Sequence, residues 1–503
     1  MDKNSKHQGG GEVRESYRIK VDLERVIGKI DPNIYGHFVE HLGRCIYAGI
    51  YEEDSPLSDE RGFRKDVLEA VKNIRCPLLR WPGGNFASNY HWEDGIGPKD
   101  QRPVRFDLAW NKEETNRFGT DEFIEYCQAI GAEPYICVNI GTGNLDEAIH
   151  WLEYCNSTGN TYYAKLRAKN GHPEPYRVKY WGVGNENYGE WQVGYRSAKE
   201  YAKVLREYAY FMKVVDPTIK IIAVGADEPD WDLEVVKTAG KYIDYISNHQ
   251  YLGSDDYYET VASVYWVKKR LKVLKSVIEI AQPLMKEEEK VKIALDEWNI
   301  WYRGNRGNDL EENYALKDGL FAAGIFIVLH RLCQSVTMAN LAQLVNVLGA
   351  IHTDKGGLYL TPIYRAFELF VNHTGEIVLD TLVKSETYNI EGKAHFGRRE
   401  FELANLPYLD ASATLSTSKD KLYIAAANYD KEEGIECPIF LGGFSPSAEA
   451  RIYELSGPDV TATNDFENPE KVKIKTGMIK NAASKFNYSF PPHSCTVIEL
   501  NVK

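Results

Sequence analysis

VKYWGVGNE at residues 178–186, continuing as NYG to 189, is the stretch on which the fold turns. Its first half is a short apolar and aromatic run, and its second half is a glycine-bounded turn that delivers Asn185 and Glu186. A helical pattern follows at 197–214, SAKEYAKVLREYAYFMKV, where apolar residues recur three or four apart. Moving outward in both directions, the same unit recurs. The other runs are IYGHFVEH (34–41), PLLRWPG (77–83), PYICVNI (134–140), IKIIAVG (219–225), YISNHQY (245–251), VKIALDEW (291–298) and VTMANLAQ (336–343). Helical connections are also clear at 258–281 and 312–333. Strand and helix alternating eight times between about residue 34 and about residue 375 predict a (β/α)₈ TIM barrel, an α/β fold.

Beyond residue 378 the pattern changes to short runs of period two broken by turn residues: KLYIAAANY (421–429), ARIYELSG (450–457), KVKIKTG (471–477) and CTVIELNV (495–502). These predict a C-terminal antiparallel β-sandwich. SYRIKVDLE at 16–24 has the same alternation and is expected to pair into that sandwich. The expected division is therefore 1–30 as lead-in and N-terminal strand, 31–377 as barrel and 378–503 as sandwich. MDKNSKHQGGGEVRES at the start has no apolar core of the kind a signal peptide needs and reads as a mobile polar lead-in.

Composition narrows the function. Hydrophobic residues at 43% suit a chain with a sizeable core. Sixty Lys and Arg against 73 Asp and Glu give a formal charge of −13, which repels phosphate backbones and anionic lipid, so neither nucleic acid nor membrane is expected as a partner. The 33 tyrosines and 10 tryptophans exceed what a core needs, and such rings commonly floor sugar sites. Eight cysteines without a CxxC pair, most inside apolar runs, read as buried free thiols of a reducing compartment, and a cytoplasmic location is expected. GLFAAGIFIVLH at 319–330 is too short to span a bilayer and suits a buried helix. No HExxH, EF-hand spacing or Cys/His cluster is present, and GTGN at 141–144 lacks the frame of a phosphate loop; neither metal nor cofactor is expected.

In a TIM barrel the working residues stand at the C-terminal ends of the strands. Those positions hold His37, Glu40, His41, Arg80, Asn85, Asn139, Asn185, Glu186, His249, Tyr251, Asp296, Glu297, Trp298, Gln343 and Asn346. Glu186 and Glu297 follow the fourth and seventh strands, across the barrel mouth from each other. Carboxylates about 5 Å apart are the machinery of a retaining glycosidase. At an effective dielectric of ~20 their repulsion is roughly 3 kcal/mol, about two pKa units, so one carboxyl is expected to stay protonated near neutral pH. Plainer readings stand beside these. An Asn-Glu or Asp-Glu pair at a strand end also caps helices or forms a solvated rim pair. Arg80 suits either Glu40 or Glu297 as partner, His249 equally suits a satisfied core position, and Tyr251 and Trp298 equally suit packing. Asp296 faces away from Glu297 on an ideal strand and reads as structural. Gln343 is the least anchored candidate, because the eighth strand's end is poorly marked.

RWPGGNFASNYHWEDGIGP (80–98), NRFGTDEFIEYC (116–127), WGVGNENYG (181–189), DEWNIWY (296–302) and ANLAQLVNVLGA (339–350) resemble the α-L-arabinofuranosidases of glycoside hydrolase family 51, over nearly the whole chain. The resemblance implies Glu186 as acid/base and Glu297 as nucleophile. It places Glu40, Arg80, Asn85, Asn185, Tyr251 and Gln343 where the arabinofuranosyl ring is held or the nucleophile positioned; His249 and Trp298 complete the substrate-binding candidates. It implies an exo-acting, retaining enzyme releasing terminal arabinofuranosyl units from arabino-oligosaccharides or arabinoxylan fragments, and a homo-oligomer, expected to be a hexamer. Many members carry Met-Asp after the acid where this chain has Asn187-Tyr188, which bears on leaving-group preference. A retaining β-1,4-xylanase or endoglucanase of the same clan, or a bifunctional enzyme, is the alternative: a closed pit means exo cleavage and an open groove endo. A noncatalytic sugar-binding barrel would need one glutamate idle. An aldolase-like barrel would need a strand-end Schiff-base lysine and a phosphate loop, and neither appears.

Overall fold

The computed structural model describes residues 16–302, 310–390, 403–443 and 445–502. The expected lead-in up to residue 15, with its GGG, lies outside them. Eight parallel strands close a barrel: β1 (Gly36–Phe38), β2 (Leu78–Trp81), β3 (Glu133–Val138), β4 (Tyr180–Val183), β5 (Lys220–Ala223), β6 (Tyr245–Leu252), β7 (Lys292–Ile300) and β8 (Val336–Ala342). They pair in chain order, and β8 closes on β1. Each lies within two residues of a run read from the sequence. The expected helices appear as Ala198–Val215, Tyr257–Ala281 and Leu316–Arg331.

Local chemistry explains where these elements begin. At the start of Ala198–Val215, the Ser197 N–H donates to the Glu200 carboxylate at 2.9 Å, supplying a partner that the first helical turn lacks. The helix buries Tyr201, Ala202, Leu205, Tyr208, Ala209 and Met212, one face at helical spacing. Leu316–Arg331 is buried on every side from Leu316 to His330. It packs between Tyr257–Ala281 and Pro362–His373 and touches strands of the C-terminal sheet, which is why its sequence is apolar all round.

Inside the barrel, Leu78, Tyr135, Tyr180, Ile222, Tyr245, Ala294 and Met338 form an apolar plug. One residue from each of seven strands fills that layer, so polar chemistry inside the barrel is confined to the strand ends above it.

The remaining strands form a nine-stranded sheet, in spatial order Lys473–Ile479, Pro446–Ser456, Ser494–Val502, Lys421–Asn428, Leu409–Leu415, Ile377–Lys384, Arg18–Lys29, Ile435–Gly442 and Lys485–Phe490. The N-terminal strand sits inside it, as expected. One pairing departs from the expected antiparallel pattern: Ile19–Asp22 runs parallel to Ile439–Gly442. A strand from the other end of the chain inserts with its direction set by its antiparallel neighbour Ile377–Lys384, so its second neighbour need not alternate. Ile424 and Ala426 enter the sheet's own apolar core, whereas Ala425 and Ala427 join the core shared with the barrel. Burial on both faces accounts for the unbroken small apolar run IAAA.

Candidate active site

Glu186 owes its position to the turn that ends β4. Gly184 there has φ +85°, and a Cβ would come within 2.2 Å of Asn187 Oδ1 and 2.5 Å of Ile140 Cδ1, so only glycine makes the bend. Glu186 itself adopts φ +45°. Its side chain, 15% exposed, accepts from the Tyr188 hydroxyl at 3.1 Å and from Trp191 Nε1 at 3.2 Å, and meets His249 Nδ1 at 3.0 Å.

Glu297 arrives from β7 and is held differently. Arg80 donates to its Oε1 at 2.6 Å and the Tyr251 hydroxyl to its Oε2 at 2.7 Å; its side chain is 6% exposed. Pairing of β6 with β7 places Glu297 opposite His249. Burial works against the Arg80 charge, but Glu297 and Asp296 hold its pKa well above the ordinary value. Arg80 also donates to Asn185 Oδ1 at 2.7 Å, joining the ends of β2, β4 and β7 in one network. Asn185 in turn donates to Asn85 Oδ1 at 3.3 Å.

Glu40, beyond β1, accepts from the backbone N–H groups of Gly84 and Phe86 at 3.1 and 3.0 Å, from Trp110 Nε1 at 3.2 Å and from Gln343 Nε2 at 3.2 Å. Burial pushes its pKa up to about 7 despite these donors. The structure thus brings Glu40, Arg80, Asn85, Asn185, Glu186, His249, Tyr251, Glu297 and Gln343 into one connected cluster.

Two readings of β7 need correction. Asp296 does not face away from Glu297: its Oδ2 accepts from the Tyr135 hydroxyl at 2.8 Å, and its Oδ1 lies 3.4 Å from His249 Nε2. The cause is a β-bulge. From Ala294 to Glu297 β7 advances three residues while β6 advances two, and the same excess appears against β8. The extra residue breaks the two-residue alternation, so both acids point into the barrel mouth. Trp298 then faces outward, 1% exposed, against Phe321, Phe326 and Phe367, and is not part of the site. Four other strand-end residues have structural partners. His37 packs on Phe367, His41 bridges Glu114 and Trp81, Asn139 ties to Tyr90 and Thr142, and Asn346 ties to Arg44 and Thr353.

An imidazole stands between the two carboxyls, His249 Nδ1 lying 3.0 Å from Glu186 and 3.5 Å from Glu297. Burial works to raise the Glu186 pKa, but the hydrogen bond and charge of His249, with Trp191 and Tyr188, hold it below the ordinary value. Burial likewise opposes a charge on His249, yet Glu297, Asp296 and Glu186 together raise its pKa to about 10. The imidazole between the acids therefore holds its proton more tightly than a free one.

An oxygen of Glu186, a ring nitrogen of His249 and an oxygen of Glu297 all lie within 4.8 Å of one another, close enough to hold a cation by distance alone. The donor set does not suit one: each His249 nitrogen faces a carboxylate, so the charged ring offers protons and no lone pair. Tyr135, Trp110, Tyr188 and Trp191 also touch the cluster and were not among the sequence candidates. Tyr135 lies at a core position of β3, below the strand end, and Trp110, Tyr188 and Trp191 lie in loops, where no spacing rule marks a ring.

A closed eight-stranded barrel with two carboxylates at this separation on β4 and β7 has the layout of a retaining glycoside hydrolase. Residues 70–269 match the α-L-arabinofuranosidase 1 domain and residues 296–494 the α-L-arabinofuranosidase C-terminal domain. The chain is 39% identical to α-L-arabinofuranosidase C of Emericella nidulans, over 96% of this chain and 97% of that one. It is 35% identical to intracellular exo-α-(1→5)-L-arabinofuranosidase 1 of Bacillus subtilis, over 96% and 98%. The solved structure of the thermostable GH51 α-L-arabinofuranosidase of Thermotoga petrophila RKU-1 superposes with a TM-score of 0.93 at 61% identity, covering 96% of this chain and all of that one. The chain belongs to the α-L-arabinofuranosidases of glycoside hydrolase family 51.

Proposed function

We propose that this protein is an exo-acting, retaining α-L-arabinofuranosidase that releases terminal arabinofuranosyl units from short arabino-oligosaccharides or arabinoxylan fragments. The observation that carries the reading is the pair of carboxylates, Glu186 and Glu297, with oxygens within 4.8 Å. That gap fits a covalent glycosyl intermediate and leaves no room for the intervening water of an inverting enzyme, whose carboxyls stand about 6.5–9.5 Å apart.

In the first step Glu297 attacks the anomeric carbon, an ester bond forms, and the bond to the leaving oxygen breaks. The leaving oxygen takes a proton from Glu186. Attack itself makes that proton available: after the opposing effect of burial, the Glu297 charge is the largest influence on the His249 proton, and ester formation removes it. The proton then passes from His249 Nδ1 across 3.0 Å to Glu186 as the leaving group departs. In the second step Glu186 accepts a proton from water, the hydroxide attacks the anomeric carbon, and Glu297 leaves with its charge restored. The proton returns to His249. Arg80 and Tyr251, each spending a donor on Glu297, aim its oxygens, and Glu40, Asn85, Asn185 and Gln343 surround the ring hydroxyls.

Among the described residues no helix is long and apolar enough to cross a membrane. All eight cysteines are buried, and with the intracellular relative in B. subtilis this supports a cytoplasmic location. A homo-oligomer, a hexamer by family resemblance, completes the reading; light scattering of the purified protein measures it. The activity is tested by following hydrolysis of 4-nitrophenyl α-L-arabinofuranoside by proton NMR. The first-formed sugar is expected to be the α-anomer; the β-anomer first, or turnover only of aryl xylosides, would refute the reading.

A further inference from the structure

Asp296 is a carboxylate at the site that the two steps above leave idle. Its side chain is 2% exposed and tied to Tyr135 of the apolar plug, so no substrate atom reaches it. Burying a carboxylate costs several kcal/mol unless other groups compensate. Two cationic side chains are near. Arg80 Nε lies 3.9 Å from Oδ2, and His249 Nε2 lies 3.4 Å from Oδ1. Arg80 already meets Glu297 at 2.6 Å, and Oδ2 already accepts from Tyr135, which leaves Oδ1 to the imidazole. The bulge in β7 is what turns Asp296 toward that ring, since strict alternation would point it away. Three acids thus face His249: Glu186 from the end of β4, and Asp296 and Glu297 from β7, with Arg80 of β2 behind the last two. They divide the ring between them, Glu186 and Glu297 standing at Nδ1 and Asp296 at Nε2.

We propose that Asp296 is a positioning residue that keeps a proton on Nε2 of His249, so that Nδ1 is the nitrogen that exchanges a proton with Glu186. A neutral imidazole carries its one proton on either nitrogen, and the partner at one nitrogen decides which. With the proton on Nε2, the lone pair at Nδ1 is free to take a proton from Glu186. With the proton on Nδ1, the ring only donates toward the two glutamates, and the Nε2 lone pair is set against the Asp296 carboxylate. In the first step the N–H bond at Nδ1 breaks and an O–H bond forms on Glu186, which hands its proton to the leaving oxygen. In the second step a proton of water passes to Glu186 and then to Nδ1, while Nε2–H stays in place throughout. The inference rests on the retaining arabinofuranosidase reading and names the group that keeps its proton path in register.

The tautomer is read in the glycosyl ester trapped with a 2-deoxy-2-fluoro-α-L-arabinofuranoside bearing a dinitrophenyl leaving group. Ester formation removes the Glu297 charge, so the ring gives up one proton to solvent as pH is raised. Nitrogen NMR of enzyme labelled with ¹⁵N-histidine shows which nitrogen keeps the other, and His249→Gln treated likewise assigns the signals. The proton is expected on Nε2. A proton kept on Nδ1, or a ring that keeps both protons throughout, would overturn the proposal. Kinetics of Asp296→Asn give a second reading. Its kcat/KM for α-(1→5)-linked arabinobiose is expected to fall roughly 10²-fold, and for a dinitrophenyl arabinofuranoside, whose leaving oxygen needs no proton, less than about fivefold. The alkaline limb of the disaccharide pH profile is expected to move to lower pH, because the ring loses a neighbouring negative charge. Equal losses on both substrates with that limb unmoved would mean that Asp296 only packs, and would overturn the positioning role. Absence of both turnover and ester in the unmutated protein would instead overturn the reading beneath it.

Discussion

The ends of β4 and β7 each present a glutamate to the same space, yet they hold it in opposite ways. Glu297 sits on a bulged strand, gripped by a buried guanidinium and a phenol at 2.6 and 2.7 Å. Glu186 sits on a glycine turn, with neutral donors at 3.1 and 3.2 Å on its outer side and a proton-bearing imidazole on its inner side. A group that forms and breaks a covalent bond needs fixed oxygens. A group that gives and takes a proton needs a neighbour that can store it and an open side for the leaving group. The two grips match those two jobs.

The sharpest way to break the comparison is Glu297→Ala, which is expected to cut turnover of 4-nitrophenyl α-L-arabinofuranoside on the order of 10⁴-fold or more. Azide is expected to restore it, giving the glycosyl azide of inverted configuration; near-normal activity in this variant would exchange the roles. Glu186→Ala comes next. It is expected to slow oligosaccharides by roughly 10²-fold to 10⁴-fold but a dinitrophenyl glycoside far less, because acid help matters only where the leaving oxygen needs a proton. Equal slowing across a leaving-group series would remove the acid role.

His249→Gln sharpens the contrast through stability. The folded-state pKa of His249, about 10, lies above the ordinary value, so its charge stabilises the fold fully below pH ~6.5 and ceases to do so as pH rises through about 10. Losing the cation among three carboxylates is expected to cost about 3 kcal/mol. The Tm gap between the two proteins should be widest near pH 6 and close toward pH 10; a gap constant across that range would deny the charge on His249. Trp298→Phe should do least. It is expected to cost about 1–2 kcal/mol of stability with KM unchanged, since the ring packs among three phenylalanines. A severalfold rise in KM would return Trp298 to the site.

The barrel was legible because each strand is a short apolar run capped by turn residues and each helix keeps its period, so eight units could be counted without knowing any contact. The two glutamates were legible because strand ends are where such a barrel works. Asp296 and Trp298 were misread for one reason: the bulge in β7 adds a residue that leaves no mark in LDEW, and period-two reasoning then assigns each side chain to the wrong face. The part of His249 was not legible because the three carboxylates that raise its pKa come from β4 and β7, and no sequence spacing encodes that encounter. Trp110 and Trp191 escaped notice because loops, not strand ends, carry them to the site.

The most direct measurement is mass spectrometry of peptides from enzyme quenched during reaction with a 2-deoxy-2-fluoro-α-L-arabinofuranoside bearing a dinitrophenyl leaving group. The fluorine slows release, so a glycosyl ester should accumulate on the peptide containing Glu297. Label on the Glu186 peptide, or full turnover with no labelled peptide, would contradict it.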